Sequence, residues 1–193
     1  MKNIVVFCGS SDGFDNDIIT LAYKLGEKLA EEKISLVYGA AKIGIMGKVA
    51  EGILKNGGKA IGVIPEFLKK KELVHTGLTQ LYTTDNMHER KLLMHELSDA
   101  IITLPGGYGT LEELFEMITW AQLGLHQKPI GILNINGFYN DLISMIKTMV
   151  EKGFLKEENY RMLLIDDNID NLLNKMKNYK PSIVPKWIKK SHL

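Results

Sequence analysis

Short runs of apolar, β-favouring residues alternate with longer stretches of helical period almost to the end of the chain. The runs are Ile4–Cys8, Ser35–Tyr38, Ala60–Ile64, Gln80–Thr83, Ala100–Leu104, Ile130–Asn134 and Met162–Ile165. Most are continuously apolar, the pattern of strands covered on both faces. Helical spacing between them predicts helices near Asp15–Glu32, Gly44–Asn56, Met87–Leu97, Leu111–Leu123, Tyr139–Glu151 and Asn168–Lys177. Glycine turns such as Asn56-Gly57-Gly58 separate the pieces. A βαβα order of this kind predicts an α/β fold, a doubly wound parallel sheet (Rossmann-like) with helices on both faces.

There is no repeat, low-complexity tract or linker, so residues 1–193 are expected to form a single domain with a C-terminal tail from about residue 180. That tail carries Pro181, Pro185, Trp187 and several lysines. It is read either as solvated or as docking Trp187 and Ile188 on a partner subunit. The least regular stretch is Pro65–Thr79, with Lys69-Lys70-Lys71 inside it, and it is long enough to be a functional loop.

Composition narrows the possibilities. Hydrophobic residues at 45% and charged residues at 24% describe an ordinary folded chain, and the net charge of +1 argues against a general nucleic-acid binder. A DNA-associated protein of similar fold should show a basic stripe, and the net charge of +1 speaks against it. The one cysteine, Cys8, has no partner for a disulfide and reads as a small apolar filler rather than a nucleophile. The apolar run at Ile4–Cys8 is too short for a signal peptide, and no run reaches the length of a membrane span. A cytoplasmic protein with no membrane partner is expected. His75, His88, His95, His126 and His192 show no ligand spacing with nearby acids, so no metal is expected. His88 and His95 share a helical face but read as packing or solvent-facing.

In a doubly wound sheet, ligands bind beyond the carboxyl ends of the strands. Three loops there are rich in small residues: Gly9-Ser10-Ser11, the segment from Gly39 to Gly44, and Pro105-Gly106-Gly107-Tyr108-Gly109-Thr110. The last is the strongest signal. Its glycines let backbone N–H groups approach a ligand, and the helix behind it favours an anion such as phosphate. Thr110 stands where an N-cap is expected. The plain alternative is a tight turn with a capping box from Thr110 to Glu113, which leaves the glycines and Pro105 unexplained. The middle loop fits neither a dinucleotide fingerprint, because Ala41 replaces the second glycine, nor a phosphate loop, because Val49 follows Gly47-Lys48. It is read as a pocket wall or a close-packed turn. Asp85-Asn86 cap a helix whose first turn carries Arg90 and Lys91, cations on the wrong end for the helix dipole. They are either surface charges or a functional departure from the rule.

Taken together, Met87-His88-Glu89-Arg90-Lys91 and the run from Leu104 to Glu113 resemble the signature of the Lonely Guy family. Those proteins are phosphoribohydrolases of cytokinin riboside 5′-monophosphates. Ile118–Gly124, Lys128–Gly131, Phe7–Ser11 and the turn Gly44–Gly47 match as well, so the resemblance spans nearly the whole chain. Ala40-Ala41 depart from it, where the family usually carries glycines. Members have often been labelled lysine decarboxylases, and these residues give that label no support, having no recognisable pyridoxal phosphate context.

The resemblance implies hydrolysis of the N-glycosidic bond of a nucleoside 5′-monophosphate such as AMP or isopentenyl-AMP, with no cofactor. It maps the catalytic pair onto Arg90 and Glu113. It maps substrate contacts onto Glu72, Lys91, Gly107, Tyr108, Gly109, Thr110, Leu111, Glu112 and Thr119, and the glycine loops add Ser10 and Gly106. It also suggests a homodimer or higher homo-oligomer, with faces such as Leu114, Ile118 and Leu125 as interface or as core. Bond cleavage builds positive charge on the sugar, which Glu113 would meet as a charge or base, since a helix N-terminus keeps a carboxylate ionised. Arg90 would meet the leaving base or grip the phosphate, and the sequence leaves both open. The rival reading is a non-catalytic carrier of a nucleotide or a phosphorylated cofactor.

Overall fold

A computed structural model describes residues 1–69 and 74–181 of the chain. Its strands are β1 (Asn3–Phe7), β2 (Ser35–Tyr38), β3 (Ala60–Pro65), β4 (Gln80–Thr84), β5 (Ala100–Thr103), β6 (Ile130–Leu133) and β7 (Leu163–Asp166). They form one sheet in the order β4-β3-β2-β1-β5-β6-β7, and every paired neighbour is parallel. The longer helices are α1 (Asn16–Glu31), α2 (Gly44–Lys55), α4 (Met87–Glu96), α5 (Tyr108–Gln122), α6 (Asn140–Glu151) and α8 (Ile169–Lys177). Single-turn α3 (Glu66–Lys69) and α7 (Glu157–Tyr160), with a 3-10 turn at Ile135–Gly137, complete the set among the described residues.

Successive strand residues point to opposite faces, and the core divides accordingly. Ile4 and Val6 pack with α1, α2 and α8, whereas Val5 and Phe7 pack with α4, α5 and α6. This two-sided burial is why the strands read as unbroken apolar runs. Leu114 is fully buried and belongs to the core, which removes it from any interface. His95 and His126 pack as neutral rings: His95 meets Trp120 edge-on at 5.3 Å between centroids, and burial pushes its imidazole down to about 3. Among the described residues no group of His, Cys, Asp or Glu could hold a metal ion, and no helix is long and apolar enough to cross a membrane.

Candidate active site

The strand order reverses between β1 and β5, so the loops that follow them open a crevice at that edge. The Gly9 N–H donates to the Pro105 carbonyl at 3.0 Å, tying the two loops together. From the other side, the Met46 N–H at the start of α2 donates to the Gly9 carbonyl at 3.3 Å. Gly44 makes that approach possible, because its φ is +68° and a Cβ there would stand 2.3 Å from the Ser10 carbonyl carbon. The middle glycine loop is therefore a close-packed turn, and through Met46 it is also a wall.

A cleft of about 360 Å³ lies beyond this contact and brings together Ser10, Arg90, Gly107, Tyr108, Gly109, Thr110, Glu112 and Glu113. Cys8, Met46, Leu68 and Met87 form its less polar side. Gly106 faces an adjoining smaller cleft of about 270 Å³, with Ile18 and Phe138.

The floor of the main cleft is the start of α5, which differs from the sequence expectation. The helix begins at Tyr108, not near Leu111, and its N-cap is Gly107, which has no side chain to cap it. Thr110 is buried inside the first turn, and its hydroxyl packs over Gly106, where a Cβ would come within 2.2 Å. The Leu111 N–H closes on the Gly107 carbonyl at 3.1 Å, so Leu111 offers its amide to no ligand. The N–H groups of Tyr108, Gly109 and Thr110 precede the first helical bond and are left facing the cleft. Gly107 and Gly109 have ordinary φ values and no atom within 4 Å of a would-be Cβ. Neither conformation nor packing demands glycine at these positions, and the space above them is open for an anion.

Gly109→Ala separates folding from function on this ground. Alanine in a helix adds roughly 0.5–1 kcal/mol of stability over glycine. Thermal melts of the variant should therefore rise, while kcat/KM with a mononucleotide falls at least about tenfold as the methyl group enters the anion seat.

Arg90 and Lys91 are buried, not surface cations, and lie just past the first turn of α4. Asn86 caps that helix, its side chain accepting the Glu89 N–H at 2.9 Å. The Arg90 guanidinium donates to the Val63 carbonyl at 3.2 Å and to the Gly39 carbonyl at 3.4 Å. Gly39 leaves room for it, since a Cβ there would collide with Nη2 at 2.1 Å. Nη1 has only the Met87 sulfur beside it, at 3.8 Å, and Arg90 has no carboxylate within ion-pair distance among the described residues. Lys91 spans the two helices and binds Glu112 and Glu116 of α5, the latter at 3.2 Å. It is engaged by these carboxylates rather than presented to the cleft.

Glu113 is the sixth residue of α5 and partly buried, a turn further along than the sequence suggested. The helix terminus no longer governs it. Desolvation pushes its carboxyl up to about 7, with Arg90 opposing the rise and Glu112 adding to it. The expectation of a firmly ionised Glu113 is thus overturned. Burial also pushes the Cys8 thiol well up, with the Glu113 charge adding to the effect, so Cys8 is a neutral filler beside the carboxyl.

Glu113 should also cost the fold stability at alkaline pH. The folded carboxyl holds its proton to about 7 against an ordinary 4.5, so stability is fullest below 4.5 and is lost as pH rises through 7. Even with screening by nearby water, Glu113→Gln should melt roughly 2–4 °C above wild type at pH 8, or about 1 kcal/mol. At pH 4 the two melts should coincide.

Thr119 is not brought to the cleft. It is exposed, and its hydroxyl bonds back to the Phe115 carbonyl at 2.7 Å. Glu72, Trp187 and Ile188 lie outside the described residues. Leu68, Met46, Met87 and Glu116 are additions that sequence reasoning missed. Glu116 had a signal in its spacing, four residues after Glu112 and so on the same helix face, and Met46 and Met87 stand inside segments that carry the family resemblance, whereas Leu68 had none.

A doubly wound sheet with an uncapped, glycine-lined helix start at its switch point, and a carboxyl and a guanidinium behind it, defines a Rossmann-like protein built to hold an anionic ligand. The chain belongs to the cytokinin riboside 5′-monophosphate phosphoribohydrolase (Lonely Guy) family. It is 44% identical over 92% of its length to the enzyme of that name LOG4 of Arabidopsis thaliana, covering 83% of the relative. Identity to LOG7 of the same plant is 42% over 93% of the chain and 83% of the relative. A family model described as "Possible lysine decarboxylase" matches residues 46–176. Two solved structures share the fold. The molybdenum cofactor binding protein of Rippkaea orientalis aligns with a TM-score of 0.69 at 22% identity, over 92% of this chain and 96% of that one. The molybdenum cofactor carrier protein of Chlamydomonas reinhardtii gives 0.69 at 17%, over 91% and 95%.

Proposed function

We infer that the chain hydrolyses the N-glycosidic bond of nucleoside 5′-monophosphates, such as AMP or its N6-isopentenyl form, to free base and ribose 5-phosphate. The observation that carries this reading is that Glu113 and Arg90 line the same cleft as the open start of α5. The phosphate accepts hydrogen bonds from the N–H groups of Tyr108, Gly109 and Thr110, with the Ser10 hydroxyl at its edge. The sugar then lies toward Glu113. Water attacks C1′ as the bond to the base breaks, and the ionised Glu113 carboxyl shelters the cationic sugar and takes the proton of that water.

The base leaves with the bonding electron pair and gains a proton from solvent, and Glu113 gives the proton it took back to solvent. A donor must meet the negative charge that develops before the base is protonated. We assign this role to Arg90. Its guanidinium rests on Gly39, just past β2, and on Val63 of β3. β3 lies two strands from β1, about 10 Å across the sheet from the loop that carries Ser10, and one strand further from β5, which leads into the phosphate seat. Met46, Leu68 and Met87 line the same side and suit an apolar substituent on the base. Lysine decarboxylation is poorly served: no lysine lines the cleft among the described residues. Lys91 is held above its ordinary value; burial would lower it, and the bonds from Glu112 and Glu116 outweigh that effect, the reverse of what an imine-forming lysine needs.

We also propose that the protein works in the cytoplasm as a homo-oligomer, the exposed Leu92 on the outer face of α4 being available for a second copy. Soaking crystals with AMP tests the placement. The phosphate should sit over residues 107–110 with C1′ facing Glu113, and a nucleotide bound elsewhere would refute it.

A further inference from the structure

We propose that Glu116 is a positioning residue for Glu113: with Glu112 it clamps the buried Lys91 ammonium between α4 and α5, and this triad holds the Glu113 carboxyl in its place and charge state at the sugar. The inference rests on the hydrolytic reading of the same cleft and deepens it.

The geometry is specific. The Lys91 side chain is 6% exposed, and its ammonium donates to the Glu112 carboxylate and to Glu116 Oε1 at 3.2 Å. Glu116 is 23% exposed against 55% for Glu112, and its second oxygen is buried with no hydrogen-bond partner among the described residues. Such an oxygen has little freedom to turn away, whereas Glu112 reaches water. Glu116 therefore fixes the inner end of the clamp. Glu113 follows Glu112 directly on α5 and precedes Glu116 by one helical turn, so both flank it.

The charge balance gives the clamp its consequence. Glu113 is faced by Arg90 and Lys91 from α4, by Glu112 and Glu116 from its own helix, and by the neutral Cys8 from the end of β1. Burial is the main cause that keeps a proton on Glu113, and the charges around it adjust that effect. Glu116 raises the proton affinity of Glu113, and Lys91 lowers it. The two residues thus act on Glu113 in opposite directions, which a role in packing alone would not produce.

The test uses the full-length chain in two readouts. Infrared difference spectra against Glu113→Gln report the Glu113 titration in the ligand-free protein, and the pH dependence of kcat/KM reports it in turnover. Glu116→Gln keeps the hydrogen bond to Lys91 and removes one charge. It should lower the Glu113 midpoint by about half a unit or more and move the rise of kcat/KM to correspondingly lower pH. It should also reduce kcat on the alkaline plateau, where Glu113 is a weaker and less firmly held base, with KM within about twofold. Lys91→Met should raise the midpoint. Should Lys91→Met fail to fold, Glu112→Gln replaces it and should lower the midpoint as Glu116→Gln does. Midpoints that stay in place in every folded variant, or that move upward in Glu116→Gln, overturn the proposal. Absence of base release by the wild type would refute the hydrolytic reading alone, since the infrared titration does not depend on turnover.

Discussion

Glu113→Gln should fold normally and lose at least about 100-fold in kcat, the scale of one positioned acid–base or electrostatic group. The glutamine keeps the shape of the carboxyl and part of its hydrogen bonding, but it neither takes a proton from water nor balances a cationic sugar. The wild-type carboxyl, pushed up to about 7 by desolvation, must be ionised to do either. Wild-type kcat/KM should therefore rise with pH through the neighbourhood of 7, and the residual activity of the variant should lack that rise. Chromatographic release of free base from AMP between pH 5 and pH 9 measures both. Undiminished turnover by the variant would remove Glu113 from the mechanism.

Arg90→Ala should be nearly as damaging to turnover and far worse for the fold. Removing the side chain leaves the Val63 and Gly39 carbonyls without their donor in a buried place and opens a cavity beneath the cleft. A loss of roughly 2–4 kcal/mol is expected from those two effects together. Catalysis should fall at least about 100-fold in kcat with a small change in KM, because the charge Arg90 meets develops only as the base departs. Guanidinium added to the solution should restore part of the rate. A variant altered in KM alone would place Arg90 on the bound nucleotide, at the phosphate, and not on the leaving group.

Most of the architecture was legible along the chain. Runs such as Ala100-Ile101-Ile102 mark strands covered on both faces, and each predicted strand lies within a residue or two of the observed one. The single turns α3 and α7 escaped, because four residues are too few to show a period. The start of α5 was misjudged for a more informative reason. Thr110 looks like a cap, whereas the helix begins at Tyr108 behind Gly107, which has no side chain to cap it, and an end left open at a sheet's switch point is a place kept for a ligand. The glycine run itself was plain in the sequence.

Charged residues were the hardest to place. Spacing left Arg90 and Lys91 open between surface charges and a functional departure, since burying a cation requires partners that the sequence does not show. Those partners are carbonyls of β3 and the β2 loop for Arg90, and carboxylates 21 and 25 residues away for Lys91. The state of Glu113 was misjudged from the same cause. A helix start favours an ionised carboxylate, but partial burial a turn further along reverses the sign. Ala40 sits at φ +68°, a left-handed conformation that suits glycine, so the departure of Ala40-Ala41 from the family pattern falls on a strained turn.

The central claim is that the cleft breaks a nucleotide rather than carries one. Incubating the purified protein with AMP and with isopentenyl-AMP, and quantifying base and ribose 5-phosphate together over time, tests this directly. The two products should appear in equal amounts over many turnovers. Nucleotide that binds tightly and is recovered intact, with no ribose 5-phosphate formed, would contradict it.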